Sequence, residues 1–508
     1  MSNLDILFLE PDSSKNAYQD LSKIHSAIET PTWSLLLAQS CRTKGFDVGI
    51  LDSTAERLSD EKTIEKIKYL NPKILCVVVY GQNPNSGTTN MIGAERLCKK
   101  LKEDYSNSFL VLVGSHVSAL PKEVLKNDFV DCVLLNEGVY ALHDLANSNL
   151  SLTSLGKIKG IGYKDEDGKL VLNEPQIVVP QDRMDIDLPG YAWDLLPYDK
   201  NPFDLYRAHF WHTGFSHEKR TPFAAIYTTL GCRFSCDFCM INILNRVNND
   251  EDINSSHSSV MRGWSHTLLL EEFEKLANFG VETIRISDEM FFLNKNYYEP
   301  LLNGIIDRGL KFNLWAYSRV DTVKERYLDL FKNAGINWLA LGIESGNQNV
   351  RLEISKGKFK EVHIKEVVQT IQSHDINVLG NYIFGFPNED FKEMQETLDL
   401  AIDLNTEHAN FYPCQALPGS PLYTQAKIEG WKLPDSYEGY AFLSYESEPL
   451  PTRFRSASEV LEFRDNAWQK YFTNQNFLSL VEKKFGTQQK ENLIEMTKIS
   501  LKRKLLGH

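Results

Sequence analysis

The stretch that decides the fold is Ile226-Tyr-Thr-Thr-Leu-Gly-Cys232-Arg-Phe-Ser-Cys236-Asp-Phe-Cys239-Met240. An apolar, β-favouring run breaks at Gly231 and brings three cysteines into one short loop, with the spacing C-x3-C-x2-C. Cysteine thiolates hold iron-sulfur clusters, and a 4Fe-4S cluster has four irons to ligate. The loop therefore predicts a cluster site with one iron open to another ligand.

Two other interpretations of these cysteines are open. A zinc site needs a fourth Cys or His at finger-like or ribbon-like spacing. After Cys239, however, the next cysteine is Cys414 and the next histidine is His257. Buried structural cysteines are the second alternative, and the presence of three within eight residues of one loop argues against it.

Composition indicates a protein of several globular units. The chain has 508 residues, 42% of them hydrophobic and 24% charged, which suits roughly three folding units with their own cores. The net charge of −13 and the scattered basic residues give no nucleic-acid footprint. Eight cysteines, three of them clustered, are typical of metal binding in a reducing compartment. The sequence shows no leader and no apolar run of membrane length, so we expect a cytoplasmic protein without membrane insertion.

Residues 1–150 alternate short apolar strands with helical segments. The predicted strands are 5–10, 46–51, 74–80, 109–113 and 130–135, with helices near 32–44, 61–70, 88–103 and 120–127. Several strands are apolar on both faces, as in a parallel sheet covered by helices on both sides. We expect a doubly wound α/β domain that binds a ligand beyond the carboxyl ends of its strands, near the switch in strand order.

Three further units follow. Residues 151–222 read as a connector, with a hairpin turn at Asp165-Glu-Asp-Gly168 and an aromatic, histidine-rich run from Tyr206 to His212 that either packs or lines substrate space. Residues 223–440 predict a partial parallel barrel of six βα units, and 441–508 a helical cap. The predicted barrel strands are 223–229, 283–287, 312–316, 338–342, 377–384 and 410–413.

At the cysteine loop and the strand ends that follow it, the sequence resembles the radical S-adenosylmethionine (SAM) enzymes. That resemblance implies a 4Fe-4S cluster on Cys232, Cys236 and Cys239, with SAM on the open iron. It also implies that Glu289, or Asp288 beside it, accepts from the SAM ammonium, that Glu344 binds the ribose and that Arg319 binds the carboxylate. The expected SAM-binding residues are Phe238, Asp288, Glu289, Arg319, Glu344, Ser345, Gly385 and Pro387.

The first 150 residues resemble the cobalamin-binding domain of one radical SAM subfamily. The resemblance is carried by Gly114-Ser115-His116 and by Asn136-Glu137-Gly138, which has Asn136 where Gly is usual. Since the D-x-H-x-x-G motif is absent, it implies cobalamin held without that histidine, the lower cobalt face being open or filled by another group. For His116, a backbone-bonded loop histidine and a cofactor contact are both open. The expected cobalamin-binding residues are Glu10, Pro11, Gly81, Gln82, Gly114, Ser115, His116, Ser118, Glu137 and Gly138.

The resemblance implies a cobalamin-dependent methyltransferase acting on an unactivated carbon of a small-molecule substrate, with an electron donor such as flavodoxin or ferredoxin. Radical cyclisation or rearrangement without methyl transfer is the main alternative. A methylthiotransferase and a non-catalytic cobalamin or cluster sensor are weaker rivals. The roles of His209, His212 and Cys414 stay open, and Cys414 is either a substrate-side thiol or a small core residue.

Overall fold

A computed structural model of the chain describes residues 4–81, 83–105, 107–197, 201–250, 253–257, 259–355, 359 and 363–508. Its first layer is a mixed sheet of seven strands within these residues, in the order β2-β1-β3-β4-β5-β6-β7. The strands are β1 (Ile6–Glu10), β2 (Val48–Asp52), β3 (Ile74–Val79), β4 (Phe109–Gly114), β5 (Cys132–Leu134), β6 (Ile161–Lys164) and β7 (Leu170–Leu172). The helices around it are α1 (Ser14–Tyr18), α2 (Leu21–Ile24), α3 (Thr32–Thr43), α4 (Asp60–Leu70), α5 (Gly87–Asp104), α6 (Ser115–Ala119), α7 (Pro121–Leu125), α8 (Val139–Asn147) and α9 (Leu152–Leu155).

The first five strands are parallel and lie where the apolar runs predict them. All six residues of β3 are buried, because this strand lies inside the sheet with helices on both faces. The strand order reverses between β1 and β3, and in such sheets ligands bind beside that reversal.

The sheet contains two more strands than predicted. The hairpin formed by β6 and β7 pairs antiparallel with β5 and covers an edge that would otherwise leave backbone groups unpaired. The turn forms as predicted: Asp165 Oδ1 accepts from the amides of Asp167 and Lys169, at 3.1 and 2.8 Å. Part of the predicted connector therefore extends the first sheet, and it is followed by α10 (Met184–Asp187).

The second layer is the predicted partial barrel, a parallel sheet in the order β15-β14-β13-β12-β11-β8. Its strands and those of a small two-stranded ribbon, β9-β10, are β8 (Phe223–Ile226), β9 (Thr229–Leu230), β10 (Arg262–Gly263), β11 (Thr283–Ile286), β12 (Asn313–Arg319), β13 (Ile336–Glu344), β14 (Asn377–Phe384) and β15 (His408–Pro413). The helices are α11 (His266–Asn278), α12 (Lys295–Asp307), α13 (Leu328–Asn333), α14 (Gln348–Ile354), α15 (Ile364–Ser373), α16 (Phe391–Leu404) and α17 (Pro421–Glu429).

Three C-terminal helices cover the barrel: α18 (Ala457–Phe472), α19 (Gln475–Phe485) and α20 (Thr487–Thr497). A capping box between Ser456 and Glu459 begins α18. On its inner face Val460, Ala467 and Tyr471 are buried, and Phe463 is half-buried. Among the described residues, no helix combines the length and the apolar character that crossing a membrane requires.

One apolar core joins the layers. It runs from one face of the first sheet through the connector into the barrel, while a separate cluster fills the other face of the first sheet. A buried ion pair reinforces the contact: Arg285 of β11 is fully buried against Glu29, which precedes α3. The carboxyl ends of the two parallel sheets are thereby held facing the same space.

Candidate active site between the two sheets

A cavity of about 900 Å³ lies between the two sheets. The N-terminal domain lines it with residues that follow β1 and β3, and the barrel lines it with the cysteine loop and with residues at several strand ends. Function gathers at the carboxyl ends of strands in both fold types. This cavity is therefore the candidate active site.

The cysteine loop begins at a glycine that no other residue could replace without distortion. Gly231 has a φ of +85°, and a Cβ there would lie 1.9 Å from the carbonyl oxygen of Val260. After this turn the free thiols of Cys232, Cys236 and Cys239 all line the cavity. No three His, Cys, Asp or Glu side chains of the described residues converge as the ligands of one ion would, whereas a 4Fe-4S cluster binds its thiolates through separate irons.

Asn85 of the N-terminal domain holds the cysteine loop from across the cavity. Its side-chain oxygen accepts from the Met240 amide at 3.0 Å, and its amide nitrogen lies 3.8 Å from Cys239 Sγ. Asn242 supports the loop from behind, accepting from the Cys232 amide at 3.3 Å. The loop is thus positioned by both domains.

Burial keeps the three thiols protonated when no iron is bound. It raises the pKa of Cys232 to about 11 and that of Cys236 to about 12, and it raises the pKa of Cys239 well above its ordinary value. Thiolates are the form that binds metal. Cluster binding would therefore release protons from these residues.

Glu289 and Asp288 are adjacent, but the structure gives them different surroundings. Glu289 lines the cavity, and its buried Oε1 has no hydrogen-bond partner among the described residues. Burial raises the pKa of Glu289 to about 8, with a further increase from Asp288 and a decrease from Arg285. Asp288 does not line the cavity and instead accepts from the amide and hydroxyl of Thr228 and the hydroxyl of Thr229, each at 2.6 Å.

Glu344 and Arg319 also line the cavity. Glu344 has a φ of +64°, which is strained for a residue with a Cβ and is often found at functional sites. Its carboxylate folds back over Gly342, where a Cβ would lie 2.6 Å from Oε1. Burial raises the pKa of Glu344 to about 7, although Arg319 lowers it. Arg319 pairs with Asp321 at 2.6 and 2.8 Å and lies 3.8 Å over the ring of Phe234 in the cysteine loop.

The remaining expected SAM residues differ in position. Phe238 lines the cavity and packs on Phe386, with 5.8 Å between ring centroids. Ser345, Gly385 and Pro387 do not line it. Ser345 Oγ donates to Glu389 Oε1 at 3.2 Å, and Glu389 Oε2 accepts from the Gly385 amide at 2.8 Å. These residues join the ends of β13 and β14 behind the cavity wall.

Of the expected cobalamin residues, Glu10, Pro11 and Gly81 line the cavity, and Gln82 lies outside the described residues. Glu10 accepts from Ser34 Oγ at 2.5 Å, and burial together with the neighbouring Asp52 raises its pKa well above the ordinary value. These residues follow β1 and β3, the two strands at which the order reverses.

The loops after β4 and β5 are used differently. None of Gly114, Ser115, His116, Ser118, Glu137 and Gly138 lines the cavity. The loops instead contact other parts of the protein. His116 Nδ1 lies 3.0 Å from Thr88 Oγ1, its ring meets Tyr437 edge-on, and Glu137 forms a buried ion pair with Arg262 of β10. His116 contacts side chains and not the backbone, and its buried Nε2 has no partner among the described residues, so both interpretations of His116 stay open.

Several cavity residues were missed in the sequence. Trp33 and Tyr80 stack with ring centroids 4.6 Å apart, and the buried Trp33 Nε1 has no partner among the described residues. Asp52 accepts from Tyr206 OH at 3.1 Å, and burial raises its pKa to about 6. Arg464 of α18 lies at the opposite wall. These residues belong to no motif, although Asp52 ends β2 and Tyr80 follows β3, and those positions could have signalled the two residues.

The aromatic run of the connector both packs and lines the cavity. Tyr206, Trp211 and His212 are buried, and His212 Nε2 lies 3.0 Å from the Asn313 carbonyl oxygen. His209 reaches the cavity, with Nε2 3.4 Å from Glu29 Oε1. Cys414 is a buried member of a small apolar cluster and also lines the cavity, so its two interpretations both stay open.

Comparison with known families identifies both halves of this site. The Radical SAM superfamily model matches residues 226–401, and the B12 binding domain model matches residues 26–146. The chain is a radical SAM enzyme with a B12-binding domain. Each match includes residues that line the cavity, among them Trp33 and Tyr80 in the first domain and the three cysteines in the second.

Known proteins resemble this radical SAM enzyme over most of its length. An uncharacterized methyltransferase of Pyrococcus horikoshii is 29% identical over 78% of either chain. An anaerobic magnesium-protoporphyrin IX monomethyl ester cyclase of Cereibacter sphaeroides is 23% identical over 87% of this chain and 67% of its own. The solved structure of the radical SAM methyltransferase TsrM from Kitasatospora setae, with cobalamin and a 4Fe-4S cluster, has a TM-score of 0.65 at 16% identity, covering 98% of this chain and 99% of that one. This last similarity shows a shared fold.

The two domains imply a 4Fe-4S cluster, SAM and cobalamin as cofactors. The residues present fit these groups. Three free thiols and a buried, unpartnered carboxylate oxygen of Glu289 face one cavity, as a cluster and the ammonium of SAM would require. On the other side, the strand reversal and the Trp33 and Tyr80 rings open onto the same space.

Proposed function

We propose that this protein is a cobalamin-dependent radical SAM methyltransferase that acts on an unactivated carbon of a small-molecule or biosynthetic intermediate. The observation that carries the proposal is the single cavity onto which both the cysteine loop and the strand reversal of the B12-binding domain open. A substrate in that cavity would lie between the two cofactor sites. The methyltransferase names of the Pyrococcus relative and of TsrM support the same conclusion.

Each side chain has a role that its surroundings suit. Cys232, Cys236 and Cys239 would hold the cluster, and the unpartnered Glu289 oxygen would accept from the SAM ammonium. Glu344 would accept from the ribose hydroxyls, and Arg319 would bind the SAM carboxylate. When bound, the cluster and SAM supply a hydrogen-abstracting radical and cobalamin supplies the methyl group.

The protein's further contribution is to exclude water. The cavity walls include the rings of Trp33, Tyr80, Trp315, Tyr317 and Phe411. Such walls protect a reactive carbon from side reactions. Asp288 and Glu137 are assigned no role in binding cofactor, because neither of them lines the cavity.

The test is anaerobic reconstitution with iron, sulfide and cobalamin, followed by assays for two products of SAM. Methyl transfer predicts 5'-deoxyadenosine and S-adenosylhomocysteine together, and a product heavier than the substrate by one CH2 unit. A Glu344→Ala variant should use SAM poorly while keeping its iron. Formation of neither product under reducing conditions would instead indicate a non-catalytic sensor.

Cyclisation or rearrangement is the second candidate, because the Cereibacter relative is named a cyclase. It predicts 5'-deoxyadenosine without S-adenosylhomocysteine. For the reducing electron, we propose a flavodoxin or ferredoxin as the donor and the cytoplasm as the compartment. Replacement of a chemical reductant by reduced flavodoxin would test the donor.

A further inference from the structure

Arg464 of α18 is a buried cation on the wall of the cavity. Only 5% of its side chain is exposed, yet it lines the cavity beside the end of β15. Its Nε donates to the Phe411 carbonyl oxygen at 2.7 Å, and its Nη1 donates to Asp465 Oδ1 at 2.8 Å. Within the described part of the chain, no residue accepts from Nη2.

The charges around Arg464 do not balance. Asp465 also accepts two hydrogen bonds from Arg503, from Nε and from Nη2, each at 2.9 Å. Arg503 is fully buried, so two guanidinium groups share one carboxylate. Glu462, two residues earlier on α18, is exposed and forms no ion pair among the described residues. One carboxylate does not neutralise two buried cations, and an anion in the cavity would offset the excess positive charge.

The surroundings of Arg464 are otherwise apolar and aromatic. Its guanidinium lies 5.5 Å from the ring centroid of Phe442, which packs edge-on against Tyr412. Tyr412 is close enough to Arg464 and to Glu344 for both charges to act on its phenol. Arg464 and Glu344 line the same cavity, so a group bound at Arg464 would share that cavity with the proposed SAM site.

We propose that Arg464 binds the carboxylate of an organic substrate whose apolar body lies against Phe411, Tyr412 and Phe442. This inference rests on the proposed function, because it takes the cavity as the space for substrate. A carboxylate carries the single negative charge that the Arg464, Asp465 and Arg503 group lacks. A phosphate dianion carries one negative charge more than this group lacks.

The experiment uses benzoate and benzamide as a matched pair of probes with the reconstituted holoenzyme. Their binding is measured as the rise in unfolding temperature with probe concentration, at constant ionic strength. Benzoate should bind at least about tenfold more tightly than benzamide, as expected for one charge-assisted hydrogen bond. Arg464→Met should abolish this preference, while Arg464→Lys should keep part of it.

Arg464→Met is expected to fold, because Asp465 keeps both hydrogen bonds from Arg503. Arg453→Met is the matched control, since Arg453 is 48% exposed and pairs with Glu429 on the surface. It should leave the preference for benzoate unchanged. Equal responses of the wild type to the two probes, including no response to either, would overturn the proposal, and so would a preference that survives in Arg464→Met.

A third probe, inorganic phosphate, tests the choice of anion. If it binds more tightly than benzoate, and does so only when Arg464 is present, the carboxylate assignment is wrong. Because the assay needs no turnover, its result is independent of the methyltransferase test. A preference for benzoate without any SAM-derived product would retain the carboxylate site and reject the proposed function. SAM-derived products without a preference for benzoate would reject only the carboxylate site.

Discussion

The barrel and the N-terminal sheet both present loops at the carboxyl ends of parallel strands, but they use those loops differently. On the barrel, the cysteine loop and the ends of β11, β12 and β13 bring Glu289, Arg319 and Glu344 to the cavity. Among the described residues of the N-terminal domain, those that line the cavity lie at or after the ends of β1, β2 and β3. The segments after β4 and β5 instead contact the second domain, as in the pair of Glu137 and Arg262.

The difference follows from the path of the strands. A partial barrel curves, so the ends of neighbouring strands converge on its mouth. The N-terminal sheet is open, and its ligand space lies beside the reversal between β1 and β3. The loops after β4 and β5 lie farther along the sheet. Similar strand-end segments therefore separate into residues that face the cavity and residues that join the domains.

The largest expected effect is at the cysteine loop. Cys236→Ala should abolish cluster assembly, because a 4Fe-4S cluster on this loop has no spare thiolate. The measurement is iron and sulfide content after anaerobic reconstitution, with the visible absorbance of the cluster. Cys414→Ala is the matched control, since Cys414 also lines the cavity but lies in an apolar cluster. Iron at the wild-type level in Cys236→Ala would refute the cluster assignment.

The role of the β5 loop is tested by Glu137→Gln. The substitution leaves Arg262 as a buried cation without its carboxylate, which should cost about 3 kcal/mol or more of unfolding free energy. The measurement is chemical denaturation, together with titration of cobalamin into the folded protein. Unchanged stability with weaker cobalamin binding would place Glu137 among the cofactor contacts. It would contradict the assignment of the β5 loop to contact between the domains.

The wall behind the SAM site predicts a pH dependence. Burial raises the pKa of Glu389 from 4.5 to about 7. Between these values the folded state holds a proton that the unfolded state has lost, so stability falls as pH rises from 4.5 to 7. The loss should be roughly 3 kcal/mol. Glu389→Gln, which stays neutral, should show a flatter curve in denaturation from pH 4.5 to 8, and a curve parallel to wild type would exclude this cause.

The smallest expected effects distinguish the neighbouring carboxylates of Glu289 and Asp288. Glu289→Gln should weaken SAM binding about 10- to 100-fold through the loss of one charged hydrogen bond, with little change in unfolding temperature. Asp288→Asn should lower stability by about 1–3 kcal/mol, because it disturbs the contacts to Thr228 and Thr229. Equilibrium dialysis with SAM and thermal unfolding distinguish them. The opposite assignment would follow if Asp288→Asn lost SAM and kept its stability.

Much of the architecture could be predicted from local patterns. Apolar runs located β3, which is buried on both faces, and β14 to within a residue or two. The C-x3-C-x2-C spacing located the cluster loop. The hairpin β6-β7 was predicted as a turn, but its pairing with β5 was not, because edge pairing depends on which strand lies at the edge.

The sequence by itself determined that the chain has a cluster loop, two αβ units and carboxylates at strand ends, because these depend on residue type and spacing along the chain. The tertiary structure decided which strand ends share a cavity, because strand order and barrel curvature are long-range properties. It separated Glu289 from Asp288 and Glu10 from Glu137, and it brought Arg464, more than two hundred residues after Cys239, to the same space.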